Sequence, residues 1–197
     1  MESSTAAGVP SSTAAAGMIA AFEASISEQR FRNAVFLGER LYAASPSQET
    51  LRMVATAYTH AGQLAQARHV LAAGVPRVAG GGPGAAPAPL TERSAANSFL
   101  LGKVCLGLNK LREAERALRG AGAAPIATDD GALSDSQLLA PEEQGGVAGG
   151  SAGLELMGEV CRKSGRPDEA LLYFGAAHRA DPYAWTAYEQ VRRPTCC

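Results

Sequence analysis

The chain has 197 residues, of which 46% are hydrophobic, and its formal net charge is −1. This length and apolar content are enough to bury one continuous core, and the near-neutral charge offers no electrostatic surface for nucleic acid. No apolar run approaches the ~18 residues of a membrane-spanning helix, and the first ten residues lack the basic and apolar regions of a secretory signal. We therefore predict a soluble, intracellular protein.

Residues 1–13 are rich in Ser, Thr, Ala and Gly, and we predict a disordered tail. A helical array is predicted over residues 14–191. Its first helix carries Met18, Phe22 and Ile26 at helical spacing on one face.

The second predicted helix, from Phe31 to Ala44, is apolar on more than one side, whereas a helical hairpin needs only one apolar face. The surplus predicts either contact with the next repeat or a protein interface. Periodicity directs Leu37 and Leu41 toward the first helix and leaves Phe36 and Tyr42 on other sides. The interface candidates are Phe31, Val35, Phe36, Leu37, Arg40, Leu41 and Tyr42.

Ser45-Pro46-Ser47 interrupts the helical pattern, and we predict that it stops one helix and caps the next. Ser45-Pro46 also matches the minimal site of a proline-directed kinase. Helices are then predicted over residues 48–60, 64–73, 92–108 and 111–119. The Gly- and Pro-rich residues 74–91 and the acidic, Gly-rich residues 120–150 are predicted to be inserted loops.

Residues 151–182 hold the clearest repeat. Leu154, Gly158, Ala170, Phe174 and Pro182 follow one another at the offsets of the tetratricopeptide repeat, a pair of antiparallel helices in ~34 residues. Earlier segments repeat the pattern. Across the copies, the residues predicted to pack the repeats are Ala34, Ala55, Tyr58, Ala67, Gly102, Ala114, Gly158, Ala170, Phe174 and Pro182.

Ala34, Ala67, Ala114 and Ala170 are the helix-crossing alanines, and they are 33, 47 and 56 residues apart. The excess in the last two steps agrees with the two inserted loops. We predict an all-α tetratricopeptide repeat solenoid, right-handed and superhelical, with about nine helices. The pattern continues past Pro182 as though another repeat began, and residues 192–197 are predicted to be a truncated or atypical tail.

No catalytic, metal-binding or cofactor-binding set is predicted. Cys105 and Cys161 occupy equivalent core positions of two repeats, and no Cys-x-x-Cys motif accompanies them. His60, His69 and His178 fall on different predicted helices. Cys196-Cys197 resembles a prenylated tail, yet the phosphate-binding loop of the GTPases that carry such tails is missing. We predict neither a small-molecule substrate nor an enzyme.

Three segments carry a more specific resemblance. The run A-V-F-L-G-E-R-L-Y-A within residues 34–43, the A-T-A-Y of residues 55–58 and the D-P-Y-A-W-T-A-Y-E of residues 181–189 are similar to subunit three of the anaphase-promoting complex, the cell-division-cycle twenty-seven type. The resemblance implies an N-terminal tetratricopeptide domain of a ubiquitin-ligase scaffold that controls mitosis. It also implies a homodimer that contacts other subunits of the complex, in nucleus and cytoplasm.

A second function stays open: a free tetratricopeptide adaptor that holds the acidic tail of a partner such as a chaperone. Such an adaptor needs Lys, Arg and Asn side chains that converge on the carboxylates. Arg52, Asn97 and Lys103 are scattered in the sequence, which favours the scaffold. The activator-binding repeats of the resembled family have no counterpart here.

Overall fold

The computed structural model describes residues 12–75, 94–119 and 146–192. Within these ranges all regular structure is helical, in nine helices. They are α1 Ser12–Ser27, α2 Phe31–Ala44, α3 Gln48–His60, α4 Leu64–Ala73, α5 Ala95–Gly107, α6 Leu111–Arg119, α7 Gly150–Lys163, α8 Pro167–Ala180 and α9 Trp185–Arg192.

The helices belong to two units, of which unit 1 spans Met1–Glu92 and unit 2 spans Arg93–Cys197. In unit 1, α1 packs against α2, α2 against α3, and α3 against α4. In unit 2, α5 pairs with α6, α7 pairs with α8, and α9 packs on α8. Helix α7 also packs against α5 and α6, so the two hairpins of unit 2 share one core.

Every helical hairpin that the structure describes turns through a residue with a left-handed backbone. The four residues are Gln29 (φ 59°), Gly62 (φ 75°), Asn109 (φ 58°) and Gly165 (φ 76°). In each turn the following amide donates to the carbonyl five residues earlier, as in Arg30 N to Ser25 O at 2.8 Å and Arg166 N to Cys161 O at 3.0 Å. This is the Schellman arrangement that ends a helix by satisfying its last carbonyls. The same turn therefore recurs in four sequences that differ in composition.

At the crossing of three of the four hairpins, a small residue faces a large one. A Cβ on Gly158 of α7 would lie 2.8 Å from the ring of Phe174 on α8, and one on Gly102 of α5 would lie 2.7 Å from Leu118 on α6. The first hairpin has the inverse arrangement, because Gly38 of α2 faces Phe22 of α1, with 3.4 Å from a Gly38 Cβ to the ring. The space at the crossing is filled whether the large side chain lies on the first or on the second helix of the hairpin.

Eight of the residues predicted to pack the repeats are buried: Ala34, Ala55, Ala67, Gly102, Ala114, Gly158, Ala170 and Phe174. Tyr58 is half-buried, and its hydroxyl reaches outward to Glu39. Pro182 is exposed in the turn after α8, so it does not fill the core. It lies just past the helix end, where a residue without a backbone N–H prevents the helix from continuing.

Three predicted boundaries differ from the structure. Helix α1 begins at Ser12, inside the predicted tail, and α5 begins at Ala95, after its N-cap Ser94, not near residue 92. The end of the predicted second loop is packed: Ala148 is fully buried and its amide donates to Leu118 O at 2.8 Å. Gly153 permits this, because a Cβ there would lie 1.9 Å from the Ala148 carbonyl oxygen. Residues 1–11 of the predicted N-terminal tail, 76–91 of the first predicted loop and 120–145 of the second lie outside the described residues. Of the predicted C-terminal tail of residues 192–197, Arg192 ends α9 and the rest lies outside the described residues.

We expect Gly158→Leu to lower the free energy of unfolding by about 1–3 kcal/mol or more, because the new side chain overpacks the crossing against Phe174. Thermal and urea unfolding measure the change. The control is Gly17→Ala, at a helical glycine whose Cβ would meet nothing within 4 Å, and it should stabilise by ~0.5–1 kcal/mol. Equal stability of the Gly158→Leu variant and the parent would contradict the crossing.

Gln29→Gly should raise the free energy of unfolding by about 1 kcal/mol, since the left-handed backbone strains a residue that carries a Cβ. The matched control is Gln63→Gly, one residue after the equivalent turn position, where φ is −88°. That glycine relieves no strain and should be neutral or destabilising. If both changes had the same effect on urea unfolding, the turn assignment at Gln29 would be wrong.

Candidate interaction surfaces

Helix α2 exposes one large apolar side chain, Phe36, which is 50% exposed. The guanidinium carbon of Arg40 lies 4.6 Å from the centre of its ring, one helical turn away. A cation over an aromatic face is attracted by the ring quadrupole. Phe36 and Arg40 thus form an apolar and cationic pair on the surface of unit 1.

The other five interface candidates contribute to unit 1 itself. Leu41 is buried, and Val35 and Leu37 pack against the core cluster that contains it. Phe31 is half-buried and stacks on the His60 ring at 5.4 Å. Tyr42 is half-buried, and its hydroxyl donates to the Gly74 carbonyl at 3.0 Å. The structure therefore leaves only Phe36 and Arg40 of the seven candidates exposed.

Helix α1 offers an apolar surface that the candidate set omitted. Its sole charged residue is Glu23, so Ser12–Phe22 carries no charge. A helix that is apolar on all sides is normally covered on all sides. Here only Phe22 and Ser25 are buried among its described side chains, and Ile19 is 37% exposed. The absence of charge along the helix was the sequence signal for this surface.

An ion-pair network joins α6 to α8 in unit 2. The Glu115 carboxylate lies 2.8 Å from both Arg119 Nη2 and Arg166 Nη2, and Arg166 Nη1 is 2.9 Å from Glu169 Oε2. Arg119 Nη2 also donates to the hydroxyl of the fully buried Tyr173 at 3.4 Å. Removing one partner of a partly buried ion pair leaves an uncompensated charge and destabilises the fold. We assign the network a structural role.

Cys105 and Cys161, the two cysteines of unit 2 that the structure describes, are fully buried. Cys105 Sγ lies 3.9 Å from Glu113 Oε2, and Cys161 Sγ lies 4.0 Å from Glu169 Oε2. Burial raises the pKa of the Cys161 thiol to about 11, while the Arg166 charge opposes this and the Glu169 charge adds to it. The thiol therefore stays protonated at neutral pH and fills space in the core. Cys196 and Cys197 lie outside the described residues.

Chemistry-bearing residues are dispersed. His60, His69 and His178 lie on α3, α4 and α8. In the described ranges no three His, Cys, Asp or Glu side chains form a group able to hold a metal ion. Among the helices that the structure describes, none is long and apolar enough to cross a membrane.

Unit 2 exposes aromatic side chains around α9. Tyr183 is 94% exposed and Trp185 is 67% exposed. The Trp185 ring lies 5.3 Å from the Tyr188 ring, which also contacts His178 at 5.6 Å. Arg192 donates to the Tyr188 hydroxyl at 2.7 Å. Trp185 and Tyr188 of the segment 181–189 thus form, with His178, a group of ring contacts between α8 and α9.

We expect Cys161 to resist thiol reagents at pH 8 in the folded protein. A pKa near 11 instead of 9.0 leaves about 100-fold less thiolate, which is the reactive species, and burial slows access further. The rate is measured with a chromogenic disulfide in a background with Cys105, Cys196 and Cys197 changed to Ser. Ser164→Cys, with Cys161 also changed to Ser, is the exposed control and should react rapidly.

The sign of the linked stability follows from the raised pKa. The protonated thiol contributes stability that is fully present below the unfolded pKa of 9.0 and is lost as pH rises toward about 11. Rapid labelling of Cys161 at pH 8, before unfolding, would contradict its burial.

The repeated hairpins define a tetratricopeptide repeat protein, and solved structures with the same fold match this chain. The crystal structure of the APC/C hetero-tetramer Cut9–Hcn1 matches with a TM-score of 0.62 and 17% identity, over 90% of this chain and 28% of that chain. YrrB, a TPR protein with an unusual peptide-binding site, matches with a TM-score of 0.58 and 17% identity, over 90% of this chain and 74% of that chain. The predicted fold class, an all-α tetratricopeptide repeat solenoid, is confirmed.

The nearer resemblance is to cell division cycle protein 27. Homologs B and A of Arabidopsis thaliana are 27% and 29% identical over 161 residues, or 82% of this chain. A structure of the Cdc27 N-terminus matches with a TM-score of 0.60 and 14% identity, over 88% of this chain and 64% of that chain. The resemblance predicted from the sequence is confirmed at this level of identity.

This chain spans 17% of the length of each of the two Arabidopsis proteins. No family model matches it.

Proposed function

We propose that the chain is a non-catalytic tetratricopeptide scaffold of an anaphase-promoting complex, in the ubiquitin pathway that controls cell division. The observation that carries the proposal is the similarity to cell division cycle protein 27 over 82% of the chain. We further propose that unit 1 mediates homodimerisation and contributes to assembly with other subunits. Nucleus and cytoplasm are the compartments expected for this role.

Phe36 supports α2 as part of the dimer interface. Half of its surface faces water, and covering an aromatic ring of this size is among the larger single contributions to an interface. Arg40 lies over one face of the ring, and Arg is enriched with aromatic residues at the energetic centres of interfaces. Together they form a compact anchor for a second chain.

The uncharged surface of α1 supports a two-fold arrangement. In a two-fold dimer the same surface of both chains meets itself, so like charges near the axis repel one another. Ser12–Phe22 brings no charge to such a contact. Permanent dimers also bury roughly 2,000 Å² or more, which is more than Phe36 alone can supply. We therefore place α1 and the exposed side of α2 in one proposed interface.

The test is the mass of the chain in solution at tens of micromolar, by light scattering, where we expect twice the monomer mass of 20.2 kDa. Phe36→Glu should raise the Kd of the dimer at least ~10-fold, because two carboxylates then enter an apolar interface. A loss of ~1.4 kcal/mol of binding free energy corresponds to that factor. Circular dichroism should show unchanged helix content.

Two controls separate interface from core. Leu172→Glu replaces an apolar residue of unit 2 that is 40% exposed, and it should leave the dimer intact. Leu41→Glu buries a charge in the core of unit 1 and should lower helix content itself. A monomer for the parent chain at tens of micromolar would refute the homodimer, while the relation to cell division cycle protein 27 would stand.

The alternative is a free tetratricopeptide adaptor for an acidic peptide. Asn97, one of the three residues considered for such a grip, is fully buried in α5 and cannot face a bound peptide. Arg52 and Lys103 are exposed. Titration with a peptide that ends in acidic residues distinguishes the functions: saturable binding that Lys103→Ala or Arg52→Ala abolishes supports the adaptor.

A further inference from the structure

The described part of unit 1 exposes two large apolar side chains, Ile19 of α1 at 37% and Phe36 of α2 at 50%. An exposed charge follows each of them four residues later: Glu23 follows Ile19, and Arg40 follows Phe36. Residues four apart are neighbours on one face of a helix. Each helix therefore presents an apolar group and a charge in the same order along the chain, and the two charges have opposite signs.

The Glu23 carboxylate is the one that the fold of the first hairpin does not use. Of the other two acidic residues in that hairpin, Glu28 pairs with Arg30, and Glu39 accepts a hydrogen bond from the Tyr58 hydroxyl. Among the described residues, Glu23 has no ion pair and no hydrogen bond from its side chain. Its charge is therefore available to a second molecule.

Arg40 requires a counter-charge when Phe36 enters a dimer interface. The guanidinium carbon lies 4.6 Å from the centre of the Phe36 ring, so covering the ring also removes part of the guanidinium from water. A charge taken from water without a counter-charge destabilises a complex. In a two-fold dimer the same residue of the second chain cannot supply it, because both copies are positive. A different residue of the second chain has to pair with Arg40.

We propose that α1 of one chain lies alongside α2 of a second copy, with Ile19 against Phe36. The Glu23 carboxylate of each chain then pairs with the Arg40 guanidinium of the other, and two-fold symmetry gives the dimer two such pairs. The inference rests on the proposed homodimer and adds the residues that determine which surfaces meet. Opposite charges favour this arrangement over others, because a shifted contact sets like charges against each other.

The order of the residues also sets the relative direction of the two helices. Four residues span ~6 Å of a helix, so a parallel arrangement that brings Ile19 to Phe36 also brings Glu23 to Arg40. An antiparallel arrangement about the same apolar contact would bring Glu23 to Arg32, which is exposed four residues before Phe36. The parallel arrangement is favoured because the Arg40 guanidinium already lies at the Phe36 ring.

The test measures the Kd of the dimer by analytical ultracentrifugation of the full chain, for Glu23→Arg, for Arg40→Glu and for an equimolar mixture of the two variants. Each variant alone places two pairs of like charges in the interface, and we expect its Kd to rise at least ~10-fold above that of the parent. In a mixed dimer every charge of the two pairs faces an opposite one, because the two reversals lie on different chains. We therefore expect the mixture to dimerise with a Kd close to that of the parent.

Two controls accompany the measurement. Arg52→Glu reverses an exposed charge of α3, outside the proposed contact, and should leave the Kd of the dimer unchanged. Circular dichroism should show the helix content of the parent in both single variants, because Glu23 and Arg40 are exposed. Recovery of the dimer on mixing further shows that each variant is folded.

Three results would overturn the pairing and leave the homodimer in place. The first is dimerisation of either single variant as tight as that of the parent. The second is a mixture that stays monomeric where the parent dimerises. The third is recovery when Glu23→Arg is mixed with Arg32→Glu and not with Arg40→Glu, which is the antiparallel outcome. A monomeric parent would instead refute the homodimer itself, and the pairing with it.

Discussion

The close crossing of two helices, with a small residue of one facing a large residue of the other, is the contact on which three of the four hairpins depend. Gly158 meets Phe174 and Gly102 meets Leu118, whereas the first hairpin places Phe22 on α1 and Gly38 on α2. Cores tolerate such exchanges when the total volume is kept. The crossing sets the helix spacing, and residues on the outer sides, such as Phe36, are then free to form surfaces.

Much of this fold could be predicted because the chain marks its own helix ends. Ser45-Pro46-Ser47 precedes α3, Gly62 separates α3 from α4, and Gly74 follows α4; the predicted and observed bounds of both helices agree. The turn at Gln29 carries no such mark, because its left-handed backbone is imposed by the helices on either side. The burial of Ala148 was missed for a similar reason: a Gly-rich segment reads as a loop, and only its docking against Leu118 shows that it is packed.

The candidate surface was predicted less well than the fold. Periodicity placed Leu41 toward the first helix, where it is buried, and left Phe36 outside, where it is exposed. It also left Tyr42 on another side of the helix, but Tyr42 is half-buried and its hydroxyl bonds to the Gly74 carbonyl at the end of the next hairpin. A contact between residues of different hairpins depends on how the helices stack, which a pattern within one helix does not contain. The α1 surface could not be predicted from the absence of charge alone, because the exposure of its side chains depends on how the helices pack.

A scaffold acts through the assembly it joins, so its function is tested by what it assembles with. The most direct measurement is the composition of the complex that copurifies with the tagged protein from its own cells, by quantitative mass spectrometry. We predict subunits of a ubiquitin ligase in fixed proportion to the tagged chain. Recovery of the chain free of such subunits, or with a chaperone in their place, would contradict the proposed role.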